Sequence, residues 1–232
     1  AELPGTITKI GESAFEGCTS LESIALPEEL ETIGGFAFAD CVALASVDFP
    51  SYLTYIGRWS FSGCEALGEV SIPASVETIS DNAFASCVSL SSVQLSEGLK
   101  SIEETAFNAC EQLQTITIPS TVTNIGGGIF ADCKKLSAID MAEGNTAYVS
   151  VEGVLYNKAM TTLVQYPAGK DNDSYTIPES VTTVGDYAFC GNDYLTSLPL
   201  HDKLKVISDF AFARVSGVPT FDVPAGTESI GE

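Results

Sequence analysis

The chain has 232 residues, 31 acids against 10 bases, a formal net charge of −21, 45% hydrophobic residues, seven cysteines and one histidine. That composition can bury a core, so the chain is not disordered, and no stretch reaches the roughly 18–20 consecutive apolar residues of a membrane span. The charge repels nucleic acid and anionic lipid, which need clustered Lys and Arg. The lone histidine, His201, leaves little room for His-based metal sites or Ser-His-Asp chemistry. The acids are dispersed without a run of like charge, which reads as a solvated surface and not a tail.

The chain begins without Met, a basic n-region or an apolar h-region, so the expectation is either a removed leader or a fragment of a longer chain. Residues 1–10 read as the tail of a partial repeat, with Leu3, Pro4 and Ile10 in register. Five regular 23-residue units follow over 11–125, starting at Gly11, Gly34, Gly57, Ser80 and Glu103. A sixth unit over 126–184 carries an insertion at about 142–175, and two more units occupy 185–230. The whole of 1–232 is thus read as a single domain.

Each position of the unit repeats one kind of side chain. Phe15, Phe38, Phe61, Phe84, Phe107, Phe130, Phe189 and Phe212 share the fifth position. Leu-x-x-Ile-x-Leu follows, as Leu67, Val70 and Ile72 show, and Pro27, Pro50, Pro73 and Pro119 end the apolar alternation. One unit holds too little apolar surface for a core, but stacked units align each position into a buried column. The period-2 segment reads as a short strand stopped by proline, and a second extended piece such as Leu30–Ile33 returns. The Ala-Phe-x-x-Cys segment is predicted as a single helical turn. Within the insertion, Tyr148–Val151 and Val154–Tyr156 flank Glu152-Gly153 as a hairpin, and Thr161–Tyr166 forms a further strand.

The units read A-F-x-x-C-x-x-L-x-x-I-x-I-P-x-x-V-x-x-I-G, with Phe61, Cys64, Leu67, Val70, Ile72, Pro73, Val76 and Ile79 as one example. This pattern resembles the BspA-like, or Treponema-type, repeats of the leucine-rich repeat superfamily. The resemblance implies an α/β solenoid, a right-handed superhelix of mostly short parallel strands with single helical turns and a β-hairpin insertion. It also implies a secreted or cell-surface bacterial protein, extracellular, with a non-enzymatic protein-interaction role. Some family members are adhesins for host extracellular-matrix proteins, and the motif carries no catalytic residue. No catalytic, cofactor-binding or metal-binding residue is assigned.

Cys18, Cys41, Cys64, Cys87, Cys110 and Cys133 recur every 23 residues, with Cys190 two residues off the column. Adjacent Cα atoms in such a column would lie about 5 Å apart, inside the disulfide window, which admits a redox or metal ladder. Asn192 and Val215 at the same position favour instead a column of small buried residues with free thiols. His201 replaces proline after a strand and reads as a turn residue. Asp171-Asn172-Asp173 lacks the glycine and closing glutamate of a calcium loop.

Outward positions of the strand face are small, polar and acidic. Asp48, Glu69, Gln94, Thr115, Thr117 and Asp140 are the candidate partner-binding residues, suited to a basic protein surface. An alternative aromatic patch of Tyr52, Tyr55 and Trp59 suits a glycan or cell-wall carbohydrate. A third reading is a structural spacer that presents other domains.

Overall fold

In a computed structural model that describes residues 3–232, the chain winds into a β-solenoid of about ten turns. Residues 1–2 of the leading partial repeat lie outside the described part. The strands in chain order are β1 (Lys9–Ile10), β2 (Thr32–Ile33), β3 (Tyr55–Ile56), β4 (Glu69–Ile72), β5 (Thr78–Ile79), β6 (Ser92–Leu95), β7 (Ser101–Ile102), β8 (Thr115–Ile118), β9 (Asn124–Ile125) and β10 (Ala138–Met141). They continue as β11 (Tyr148–Val151), β12 (Val154–Asn157), β13 (Thr162–Gln165), β14 (Thr183–Val184), β15 (Val206–Ile207) and β16 (Ser229–Ile230).

Two-residue strands recur on the return side. β1, β2, β3, β5, β7 and β9 make one parallel sheet in which Ile10, Ile33, Ile56, Ile79, Ile102 and Ile125 stand in register. A second return sheet runs β11-β12-β13-β14-β15-β16, antiparallel through the hairpin and parallel from β13 onward. Four of the four-residue strands form the front, where β4 pairs with β6 and β8 with β10.

Between front and return sides lies the core. Phe38, Phe61, Phe84, Phe107, Phe130 and Phe189 are fully buried. Rings of successive coils stack 5.1 Å apart at Phe38–Phe61 and 5.3 Å apart at Phe61–Phe84 and Phe84–Phe107. Burying each such ring contributes about 2–3 kcal/mol.

The predicted helical turn does not form; no helix occurs among the described residues. The second coil shows why. Phe36 and Asp40 have φ of 56° and 58°, so the chain reverses direction every few residues instead of holding the α-helical φ near −63°. Its N–H groups alternate in use. Ala39 and Cys41 donate within the turn to Phe36 and Phe38, whereas Phe36, Phe38 and Asp40 donate to Arg58, Ser60 and Ser62 of the next coil. Geometry requires this. A helix is about 10 Å across, and helices side by side need 8–10 Å, but these coils stack at the 5.1–5.3 Å spacing of their phenylalanines. Flat linked turns fit that spacing.

The stretch 142–175 contains three parts. Residues 142–148 keep the repeat register: Asn145 stands 23 residues after Val122, and the Tyr148 hydroxyl accepts the Ile125 N–H at 2.9 Å. The hairpin follows, turning at Glu152 and Gly153 with φ of 52° and 78°, the left-handed pair of a type I′ turn. From β13 onward a further coil resumes, with Thr162 beside Thr183, Ser174 beside Ser197 and the Tyr166 ring stacked 5.1 Å from Phe189. This coil is short. Tyr166 follows Leu163 by three residues, whereas Phe189 follows the paired Val184 by five.

Candidate interaction face

The strands of the front hold their apolar residues inward by period-2 alternation. Val70, Val93, Ile116 and Ile139 are buried, and the intervening residues face solvent. Asp48, Glu69, Gln94, Thr115, Thr117 and Asp140 are all exposed there. The register arranges them in two rows. Ser71 pairs with Gln94 and Thr117 with Asp140 in one row, which Asp48 begins 23 residues before Ser71. Glu69 pairs with Ser92 and Thr115 with Ala138 in the other. The face therefore brings the six residues onto one surface, presented without an aromatic anchor. Beside it, the Glu97 carboxylate accepts the Ser120 N–H at 3.0 Å and the Ser120 hydroxyl at 2.9 Å. Those bonds hold Glu97 below the ordinary carboxylate range, the Ser120 backbone N–H first among them.

The aromatic patch is less coherent. Tyr52, Tyr55 and Trp59 are 58%, 43% and 38% exposed, but among the described residues no ring contact joins Trp59 to either tyrosine. Trp59 stacks on Phe36 instead, centroids 6.1 Å apart and planes 1° from parallel, with Arg58 5.7 Å from the Phe36 ring centre. Tyr187 and Phe210, at the same repeat position, form a second pair at 4.9 Å.

The cysteine column has a structural purpose. Cys41, Cys64, Cys87, Cys110 and Cys133 donate their thiol protons to the carbonyls of Phe15, Phe38, Phe61, Phe84 and Phe107 at 3.1–3.3 Å. Each acceptor lies in the preceding coil, and all seven cysteines are free. Burial pushes Cys87 up to about 12 and raises Cys41, Cys64 and Cys110 as well, so the nucleophilic thiolate is suppressed. His201 likewise serves a turn, with Nε2 3.1 Å from the Pro178 carbonyl.

These repeats match the model of the BspA type leucine rich repeat region in six copies, over residues 1–96, 60–163 and 168–232. The chain belongs to the BspA-type leucine-rich repeat family. No curated protein matches it. Among solved structures, the BspA-type chain is similar to the pneumococcal vaccine antigen PcpA, at 28% identity and a TM-score of 0.84, covering 97% of this chain and 60% of that one. It is similar also to a leucine rich cell surface protein of Faecalibacterium prausnitzii, at 33% identity and a TM-score of 0.81, covering 89% and 55%. A leucine-rich repeat protein of Eubacterium ventriosum matches at 26% identity and a TM-score of 0.63, covering 88% and 56%. The chain thus spans 55–60% of the length of these BspA-type or leucine-rich relatives.

Sequence reasoning missed one cluster. Asp132, buried at 6% exposure, pairs through Oδ2 with Arg214, and its Oδ1 lies 3.5 Å from Lys134 Nζ. Lys134 also reaches Asp193 at 3.0 Å and donates to the Gly191 carbonyl at 2.8 Å. The cluster clasps the sixth coil to the last two across the short one. Its partners lie up to 82 residues apart, and only the local oddity of Arg214 in an acidic chain marks it in the sequence.

Proposed function

We propose that this domain is a non-enzymatic protein-interaction module of a secreted or cell-surface bacterial protein, and that it contacts its partner through the front strand face. The carrying observation is the pair of exposed polar rows, with Asp48, Glu69 and Asp140 set on a rigid parallel scaffold. The similar chains, a pneumococcal vaccine antigen and a cell surface protein, support a surface location. A basic host-matrix protein is the partner class that fits a chain of net charge −21. Such contact weakens as salt screens the acids.

The test is capture by immobilised matrix proteins and glycans at low and at physiological salt. Capture by a basic matrix protein should be salt-sensitive and fall at least fivefold in the Asp48→Ala, Glu69→Ala, Asp140→Ala triple variant. Unchanged affinity in that variant would refute the assignment of the face. A glycan-binding reading is favoured only by the half-exposed parallel Phe36–Trp59 stack; it requires salt-insensitive glycan capture that Trp59→Ala abolishes.

A further inference from the structure

Two aromatic pairs, Phe36–Trp59 and Tyr187–Phe210, frame Asn82, Thr105 and Gly128 at one left-handed position of the turn. The short seventh coil sets Tyr187 directly over Gly128. Thr105 and the tyrosine ring therefore stand on either side of a residue without a side chain. A cleft of about 610 Å³ opens beside them, a size within the roughly 300–1,000 Å³ of small-ligand sites.

Four of its side chains are planar and two-pronged: the Asn82 and Asn108 amides, the Glu104 carboxylate and the Arg214 guanidinium. Thr105 and Tyr187 add hydroxyls. Among the described residues, the side chains of Asn82, Glu104 and Thr105 and the Tyr187 hydroxyl have no hydrogen-bond partner. Asn108 donates to the Ala131 carbonyl at 3.1 Å and keeps its Oδ1 free. Arg214 gives Nη1 to the buried Asp132, which anchors the guanidinium and offsets its charge. The side chain is otherwise 74% exposed, so most of its five N–H donors remain available. Burial, and the Glu104 carboxylate after it, raise the Tyr187 hydroxyl above its ordinary value, in keeping with Glu104 and Tyr187 sharing one wall.

This lining selects among ligand chemistries. An anion meets Glu104 and a guanidinium that is already paired. An ammonium or guanidinium group only donates, which leaves the Arg214 donors unmatched. An extended peptide needs pockets for alternate side chains, whereas Phe210 and Ala213 supply little apolar surface apart from the Tyr187 ring. A sugar hydroxyl both donates and accepts, and two adjacent ones fit an amide, a carboxylate or a guanidinium fork.

We propose that this cleft binds a neutral saccharide, whose adjacent hydroxyls engage Asn82, Glu104, Asn108 and Arg214 in pairs and whose apolar side rests against Tyr187 and Phe210. The site shares no residue with the front strands or with the Phe36–Trp59 stack, and it depends on neither.

The test follows the fluorescence anisotropy of labelled neutral oligosaccharides of glucose, galactose, mannose and N-acetylglucosamine with the full chain at physiological salt. At least one should bind, and the Asn82→Ala, Glu104→Ala variant should weaken it by at least about fivefold, since two hydrogen-bonding side chains are lost. Those side chains make no hydrogen bond within the fold, and circular dichroism checks that the variant is intact. Trp59→Ala should bind as the parent chain does. Binding lost in Trp59→Ala and kept in the double variant would overturn the proposal in favour of the other aromatic stack. Silence from every oligosaccharide would also overturn it; a labelled neutral peptide that binds the parent chain but not the double variant would then reassign the cleft to protein.

Discussion

A cysteine in the third rank of a turn solves a specific hydrogen-bonding problem. The Phe61 carbonyl already accepts the Cys64 N–H within its own turn and has a second lone pair in a dry core. Cys87 is a donor small enough to reach it from the next coil at 3.2 Å. Around the hairpin and the short coil two buried asparagines do comparable work. Asn145 donates to the carbonyls of Pro119, Ser120 and Val122 and accepts the N–H groups of Ala147 and Tyr148. Asn192 does the same for Pro167, Ala168 and Lys170, and for Tyr194 and Leu195. The two asparagines bracket the hairpin and the short coil. The thiols make a pH prediction. Burial raises the folded pKa of Cys64 and Cys87 above the 9.0 of the exposed group, so the native state retains protons that the unfolded chain loses. Their stabilisation is complete below about pH 9 and falls above it, by about 1.4 kcal/mol per pH unit for each thiol still protonated in the fold. For Cys87 the loss ends near pH 12. Urea titrations between pH 7 and 11 should show this decline, and Cys87→Ser should make it shallower; a slope unchanged in that variant would contradict the account.

The turn that carries Gly128 shows how one element accommodates another. The short seventh coil lets the turn of the eighth approach that of the sixth. Gly128, with φ of 61°, lies under Tyr187, and a Cβ there would stand 2.8 Å from the tyrosine ring. Gly128→Ala should therefore cost about 2–3 kcal/mol through overpacking and left-handed strain, measured as a lowered urea midpoint. At Ser86, also left-handed with φ of 60°, glycine should be neutral or mildly stabilising. These differences explain what was legible in the sequence. The Phe column, the apolar strand positions and the Glu152-Gly153 hairpin turn follow from periodicity and turn chemistry, which are local. The alternation of left-handed residues was hidden, because Phe36, Trp59, Asn82 and Thr105 occupy it with no shared residue type. A helical turn was the natural reading of Ala-Phe-x-x-Cys until the coil spacing excluded it. The front rows were legible as a surface, because the period-2 alternation that buries Val70, Val93, Ile116 and Ile139 leaves their neighbours outward.

At the scale of the molecule, the hairpin divides the core. One buried cluster runs from Ile10 to Ile139 with Leu155, and a second gathers Val154, Tyr156, Tyr166, Phe189 and their neighbours as far as Ala211. The return sheet breaks at the same place. The Asp132–Arg214 and Lys134–Asp193 pairs then couple two stacks that each have their own interior. Removing the buried carboxylate by Asp132→Ala should cost about 1.5–3 kcal/mol, the range for hydrogen bonds to charged groups. It should also split one urea transition into two, with the smaller C-terminal stack unfolding first, as followed by Trp59 fluorescence for the first stack and circular dichroism for the whole. Coincident transitions in the variant would show that the cores are coupled by packing alone.

The rigid spacing of the whole stack gives the front rows their value as a recognition surface, and a footprint of a bound partner tests that claim most directly. Hydrogen–deuterium exchange of the full chain, with and without the basic matrix protein that it captures most strongly, should show protection in β4, β6, β8 and β10. Exchange at the Phe36–Trp59 and Tyr187–Phe210 turns should be unchanged. Protection confined to those aromatic turns, with the front strands exchanging as in the free chain, would contradict it.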